Sequence, residues 1–281
     1  MSAPSRLEVR KLVHVNQLVD DFEKANAFYV DVFGAEEYWR GYDEEQRRDA
    51  SLFVVGELCI ELFAPRDRTS LLGRSLDRYG NSWHSFEWQV PDLEAARQAL
   101  QERGVRMPTY RAGRFLMTHP ADCHGMLLEL TPLEMPGDPR LEPGWTPGRW
   151  RDGHPLGITG FNRLSVAVRD LDAAAEWLTA LVDAPVRYEE SRPEVDADAI
   201  GFQLPGHVLE LLQARSGRGP VADYVARYGP RLRSVELGVV DVDRAAAYLT
   251  SRGLGVVPGS RQGAIALVER DNWGVRWELA R

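Results

Sequence analysis

The sequence predicts an α+β fold of four βαβββ modules, arranged as two tandem domains with curved mixed sheets. Two observations predict it: the chain repeats itself once, and each half restarts partway along. Under a shift of 149 residues the halves register without gaps at many places. Asp21 meets Asp170, Phe53 meets Phe202, Glu61 meets Glu210, and Arg66 meets Arg215. Arg78-Tyr79-Gly80 meets Arg227-Tyr228-Gly229, Ser85 meets Ser234, and Asp92 meets Asp241. Asp122, Gly125 and Glu129 meet Asp271, Gly274 and Glu278. So long a period marks a duplicated domain, not a solenoid of small stacked units.

Within the first half, Leu12–Val19 alternates as a half-buried strand does. Asp20-Asp21 then offers a helix N-cap, Phe22–Phe33 is amphipathic, and Gly34 suits the left-handed stop after a helix. Three β-rich stretches follow, near 36–42, 50–56 and 58–63. The order restarts at Trp83–Val90, with Asp92 as N-cap, a helix to Arg103 and then Gly104. Strands are expected again near 106–110, 114–118 and 126–131. The second half repeats this scheme. The expected domains are 8–132 and 158–281. Between them, 133–157 contains Pro136, Pro139, Pro143, Pro147 and Pro155, which block helices and interior strands. Trp145 and Trp150 in that linker suggest that it is pinned to a surface.

Composition narrows the function. The formal charge is −8, from 42 acidic and 34 basic residues among 281. That disfavours nucleic acid and anionic membranes as partners, since both reward a basic face. No apolar run approaches the roughly 18 residues of a membrane span. The start of the chain carries no apolar signal core. Cys59 and Cys123 are the only cysteines, too few for a disulfide framework, so free thiols in the cytoplasm are expected. The expected partner is a small molecule, bound by a monomer or a homodimer.

The stretch His14-Val15-Asn16-Gln17-Leu18-Val19-Asp20-Asp21-Phe22 through Phe33-Gly34 resembles the opening strand and helix of the vicinal oxygen chelate superfamily. That superfamily includes glyoxalases, methylmalonyl-CoA epimerases, extradiol dioxygenases and bleomycin-resistance proteins. Ile60-Glu61-Leu62-Phe63-Ala64-Pro65, the segment Leu72 to Gly80, and His119-Pro120-Ala121-Asp122-Cys123-His124-Gly125 up to Leu130 look most like the epimerase branch. The resemblance spans about 11–131 and again about 160–280. It implies two modules curving around a cavity, with a divalent metal (Mn, Fe, Ni, Mg or Zn) chelated by two substrate oxygens. Members without metal leave the alternative of no cofactor at all.

The resemblance places His14, Glu61 and Glu129 as metal ligands. Strand alternation agrees for the carboxylates: each is flanked by apolar residues, and burying one uncompensated is costly, so metal or arginine must answer it. The second histidine is less clear. Anchoring on Val90, Asp92 and Leu93 puts Ser85 at the family position, and Ser85, Glu87 and Gln89 share a face. His84 falls on the opposite face unless a bulge shifts the register, although it matches the first of two histidines in many relatives. Asn16 and Ser85 are candidate substrate-binding groups. Glu87 and His119 are candidate proton-transfer groups, with Asp49 a weaker one, because the family's basic glutamate has no match in Asp49–Phe53. Cys59 shares the face of Glu61, and reads as core filler.

The second half has Arg163 for His14 and Arg233 for His84, while Glu210, Ser234 and Glu278 persist. Arginine cannot ligate a metal. A degenerate copy is expected there, with Arg163 clustered against Glu210 and Glu278. The leading expectation is a metal-dependent lyase or isomerase of the glyoxalase and epimerase kind. A metal-free antibiotic-type binding protein and an Fe(II) extradiol-type dioxygenase are the alternatives.

Overall fold

A computed structural model of the chain describes residues 5–281. The first module runs β1 (Lys11–Leu18), α1 (Phe22–Phe33), β2 (Glu36–Asp43), β3 (Arg48–Val55) and β4 (Leu58–Pro65), then a helix α2 (Leu71–Tyr79). The second is β5 (Ser82–Gln89), α3 (Leu93–Glu102), β6 (Thr109–Arg111), β7 (Phe115–Met117) and β8 (Leu128–Thr131). A short helix α4 (Gly148–Asp152) lies in the linker. The third module is β9 (Ile158–Ala167), α5 (Leu171–Leu181), β10 (Val186–Arg192), β11 (Ala197–Leu204), β12 (His207–Ala214) and α6 (Gly219–Tyr228). The fourth is β13 (Arg231–Val239), α7 (Val242–Ser251), β14 (Val256–Pro258), β15 (Ile265–Leu267) and β16 (Arg276–Ala280).

The expected α+β architecture is present. Each repeat forms one curled, mixed eight-stranded sheet, ordered β2-β3-β4-β1-β5-β8-β7-β6 in the first and β10-β11-β12-β9-β13-β16-β15-β14 in the second. Within a module the first strand pairs in parallel with the last, as Val15 with Ile60 and Asn16 with Glu61. The remaining pairs are antiparallel hairpins. An aspartate caps the main helix of every module: Asp21, Asp92, Asp170 and Asp241 each accept from a backbone N–H two or three residues on. Such a cap satisfies one of the orphan donors of a first turn. Gly34 closes α1 with φ +60, the left-handed geometry a side chain would disfavour.

Helices α2 and α6 are additions to the βαβββ scheme. Ser70 caps α2 by accepting from Gly73 N–H. The helix lays Leu76 on Leu18, Ala50 and Phe63, at one end of the sheet face opposite α1.

Close packing gathers the chain into two compact units, and each draws on both repeats. One contains Ser85–Glu134 and Arg163–Arg233 with the described residues before His14; the other contains His14–His84, Met135–Asn162 and Ser234–Arg281.

In the first unit, Gly125 has φ +97, and a Cβ there would lie 2.4 Å from the Pro230 carbonyl. The Trp88 indole donates to His207 Nε2 at 3.4 Å. That leaves the His207 proton on Nδ1, which donates to the Pro205 carbonyl at 3.1 Å. Burial pushes the His207 imidazole down from 6.5 to about 4, with the Pro205 bond opposing the shift. The unfolded chain therefore binds a proton that the folded chain refuses between about pH 6.5 and 4. Stability from this group is complete above 6.5 and is lost as pH falls towards 4, a total of about 3 kcal/mol. Denaturant titrations at pH 7 and pH 5 should show a smaller acid loss in His207→Gln than in the parent. Equal losses would remove His207 from the acid response.

In the second unit, Gly274 has φ +73, and a Cβ would lie 2.0 Å from the Asn81 carbonyl oxygen. Gly274→Ala combines a left-handed residue with a backbone clash. It is expected to cost about 3 kcal/mol, read from the denaturation midpoint. An unchanged midpoint would refute the close approach. The linker is pinned in this unit as its indoles suggest. Buried Trp150 donates to the Gly34 carbonyl at 3.1 Å, where Arg149 also donates at 3.0 Å. Trp145 lies 6.3 Å from it, ring to ring. Among the described residues no helix is long and apolar enough to cross a membrane.

Candidate functional site

Register assigns the polar faces. On β1–β4 one face packs on α1: Ser51 donates to Asn26 at 2.7 Å, and Tyr29 donates to Gln17. The opposite face follows from Asn16 facing Glu61 and Leu52 facing Glu61. It carries His14, Asn16, Arg48, Cys59, Glu61 and Phe63. His14 and Asn16 are almost fully buried, as is Cys59.

Glu61 does have a cationic partner, and it is an arginine. Arg48 Nη2 donates to Glu61 Oε1 at 2.8 Å, and Nη1 reaches Oε2 at 3.4 Å. The guanidinium lies over the Phe63 ring, 4.4 Å from its centroid. Asp43 lies 3.7 Å from Arg48 Nε. His84 stands edge-on to the same Phe63 ring at 5.3 Å. Cys59 contacts the Tyr38 hydroxyl at 3.1 Å, and burial pushes its thiol up to about 12. It is an inert thiol, as core filler should be.

On β5–β8 the apolar face holds Phe86, Trp88, Leu128 and Leu130, all buried. Glu87 faces Glu129 on the other side, with Met117 beside Glu129. Ser85 and Glu87 are buried, and Glu129 is half-buried. His119 lies elsewhere, at the start of a short 3-10 turn. Its Nδ1 accepts from Ala121 N–H at 3.3 Å and lies 3.3 Å from Arg106. Arg106 also clamps Asp122, whose carboxyl its hydrogen bonds hold down at about 2. Asp49 is clamped in the same way by Arg66.

The second repeat shows what became of the same positions. Glu210, fully buried, receives Arg163 at 3.2 Å, Arg192 at 2.7 Å, the Tyr188 hydroxyl at 2.8 Å and Ser165 at 2.7 Å. Burial alone would raise its pKa, but the two guanidinium charges and the hydrogen bonds outweigh burial and hold it below the ordinary value. Glu278 is bound by Arg276 at 2.8 Å and by Ser260. Glu236 receives Arg261 at 2.9 Å and Asn162 at 3.0 Å. Arg163 thus clusters with Glu210 as expected, and Arg276 is a cation held on Glu278.

Family models for the glyoxalase/bleomycin resistance protein/dioxygenase superfamily match residues 13–118 and again 160–279. The chain belongs to that superfamily. The mitochondrial methylmalonyl-CoA epimerase of Bos taurus is 30% identical over 128 residues, covering 43% of this chain and 73% of the epimerase. The uncharacterized protein YraH of Bacillus subtilis is 30% identical over 99 residues, covering 34% of this chain and 74% of that protein. A mutant 4-hydroxymandelate synthase from Streptomyces coelicolor shares the fold over 98% of this chain and 92% of its own, with TM-score 0.72 and 16% identity.

Enzymes of the superfamily commonly use divalent metals. A resident metal at Glu61 does not fit the donors here. Both oxygens of Glu61 face Arg48, and a divalent ion beside a guanidinium is strongly repelled. Among the described residues no three His, Cys, Asp or Glu side chains gather as a metal site requires. Sequence reasoning missed Arg48, Tyr188, Arg192, Arg261 and Arg276. The available signal was strand parity: Arg48 and Leu52 share a face, and Leu52 faces Glu61.

Proposed function

We propose that the first repeat is the working half and handles a small oxygen-bearing molecule in a proton-transfer reaction of the isomerase or lyase kind. One observation carries the reading. His14 keeps a group able to take or give a proton, whereas its repeat mate Arg163 is held against buried Glu210. Guanidinium stays protonated throughout the working range, so the second repeat has no such group at that position.

The residues of the first repeat divide by chemistry. On β1, His14 and Asn16 are hydrogen-bonding groups suited to a carbonyl or hydroxyl. On β5, Ser85 is a further hydroxyl. Glu87, a buried carboxylate paired in register with Glu129, is the group we assign to proton removal beside a carbonyl. To His119, beside the Arg106–Asp122 pair, and to His84, beside Phe63, we assign supporting roles. The likeness to an epimerase agrees with proton transfer at a carbon next to a carbonyl.

A second reading has its own support. Arg48 on Glu61, and serine at position 85, suit a metal-free binding protein that performs no chemistry. Deuterium exchange separates the two. Short-chain 2-oxo acids and acyl thioesters are incubated in D2O with the parent, His14→Ala and Glu87→Gln. Exchange next to the carbonyl in the parent, with at least a hundredfold loss in Glu87→Gln and retained binding, supports proton transfer. Binding without exchange in the parent selects the binding protein. Exchange that survives both substitutions overturns the residue assignments.

A further inference from the structure

We propose that Arg48 is the resident cation of the first repeat, seated on Glu61 where a divalent ion would otherwise bind, and that it makes this half of the chain metal-independent. The inference rests on reading the first repeat as the working half, but its test needs no substrate.

Three observations carry it. The first is geometric. Arg48 and Glu61 are each about nine-tenths buried, and the guanidinium engages both carboxylate oxygens, at 2.8 and 3.4 Å. An ion approaching a carboxylate so engaged meets a fixed guanidinium charge beside both oxygens. The second is the way the cation is held. Phe63 lies under the guanidinium face, and Asp43 stands 3.7 Å from Nε. An arginine stacked on a ring and flanked by a second carboxylate is fixed in place rather than swinging to solvent. The third is recurrence. Glu210 and Glu278, at the positions that match Glu61 and Glu129, also hold guanidinium groups, from Arg163, Arg192 and Arg276. These arginines come from different strands: Arg48 from β3, Arg163 from β9, Arg192 from β10 and Arg276 from β16. One arginine inherited before duplication would sit on matching strands in both halves. Instead the same charge was supplied from different places, so what the positions share is a need for a buried cation.

The chemistry of the donors gives the consequence. Removing Arg48 leaves Glu61 and half-buried Asp43 without their cation, with His14 on the neighbouring strand of the same face; the three are not gathered as a finished site, so what an entering ion gains is the loss of the guanidinium's repulsion. Carboxylate and imidazole donors together suit a divalent transition metal. The arginine is then a block as well as a substitute.

Cobalt(II) chloride is the probe, read by its visible absorption, by protein-bound cobalt after desalting, and by the shift in melting temperature. The full-length parent is expected to bind no cobalt at about 1 mM. Arg48→Met is expected to gain a visible band and an affinity at least roughly tenfold tighter than the parent. Arg48→Met with Glu61→Gln should lose that gain, and Arg48→Lys, which keeps a cation, should resemble the parent. Stoichiometric cobalt in the parent overturns the proposal. So does a folded Arg48→Met that gains no cobalt. If Arg48→Met does not fold, Arg48→Gln takes its place, with the same outcomes read the same way. If substrate exchange fails everywhere while cobalt follows Arg48 as stated, the proton-transfer reading falls and the resident cation stands.

Discussion

Glu210→Ala should destabilise the protein by about 3–5 kcal/mol, the usual cost of removing one partner from a buried ion pair. The carboxylate is fully buried and answers two guanidinium groups, with Tyr188 and Ser165 completing its shell. Without it, Arg163 and Arg192 face each other across a buried space with like charge. Arg192 keeps a bond to half-exposed Glu190 and the face of Tyr188, and Arg163 keeps the Tyr188 hydroxyl. Adding Arg192→Met to Glu210→Ala should recover part of the loss, because it removes one of the stranded charges. The same cluster sets a pH response. The folded carboxyl titrates below its unfolded value of 4.5, so its contribution is complete above that value and fades as pH falls below it. Chemical denaturation of the single and double variants is the check. A loss below about 1 kcal/mol in Glu210→Ala would mean the arginines relax to solvent at little cost.

Trp277→Ala carries the second large effect, about 3–5 kcal/mol. The indole is completely buried on β16. Its ring centroid lies 5.1 Å from Phe33, 5.1 Å from Trp83 and 6.3 Å from Tyr29. Phe33 and Tyr29 belong to α1 of the first repeat, and Trp277 to the last strand of the second. A residue of this size removes an area that the surrounding rings cannot collapse to fill. The loss should appear in the denaturation midpoint and as a weakened near-ultraviolet circular dichroism band. A substitution that leaves both unchanged would show that the cluster is not a joint between repeats.

The outline of the fold was legible because its signals are local and repeated. Aspartates 21, 92, 170 and 241 announce four helix starts, and alternation locates the strands between them. Buried carboxylates could also be read: Glu61 and Glu210 each interrupt an apolar strand and so demand a compensating charge. The partner could not be read with equal ease. A guanidinium reaches several residues along a sheet, so Arg48 answers Glu61 from thirteen positions away in sequence. Arg192 answers Glu210 from a strand that does not neighbour β12. Helix α2 was hidden for another reason. Leu71–Tyr79 is short and mostly polar, and its contact with the sheet runs through Leu72 and Leu76. Trp277 lies on β16, and nothing nearby in sequence says that its neighbours are Phe33 and Trp83.

The two close approaches, Gly125 on Pro230 and Gly274 on Asn81, match one another under the repeat, and each joins one copy to the other within its own compact unit. In an assembly of two identical chains, every substitution appears in both members at once. A histidine exchanged for arginine would then vanish from both. Here the copies are joined in one polypeptide, so a change falls on one and spares the other. The matched glycines make the same kind of close approach in both places while positions 14 and 163 differ. Position 14 is an imidazole while position 163 is a guanidinium held on Glu210, a difference between the copies that two identical chains could not carry.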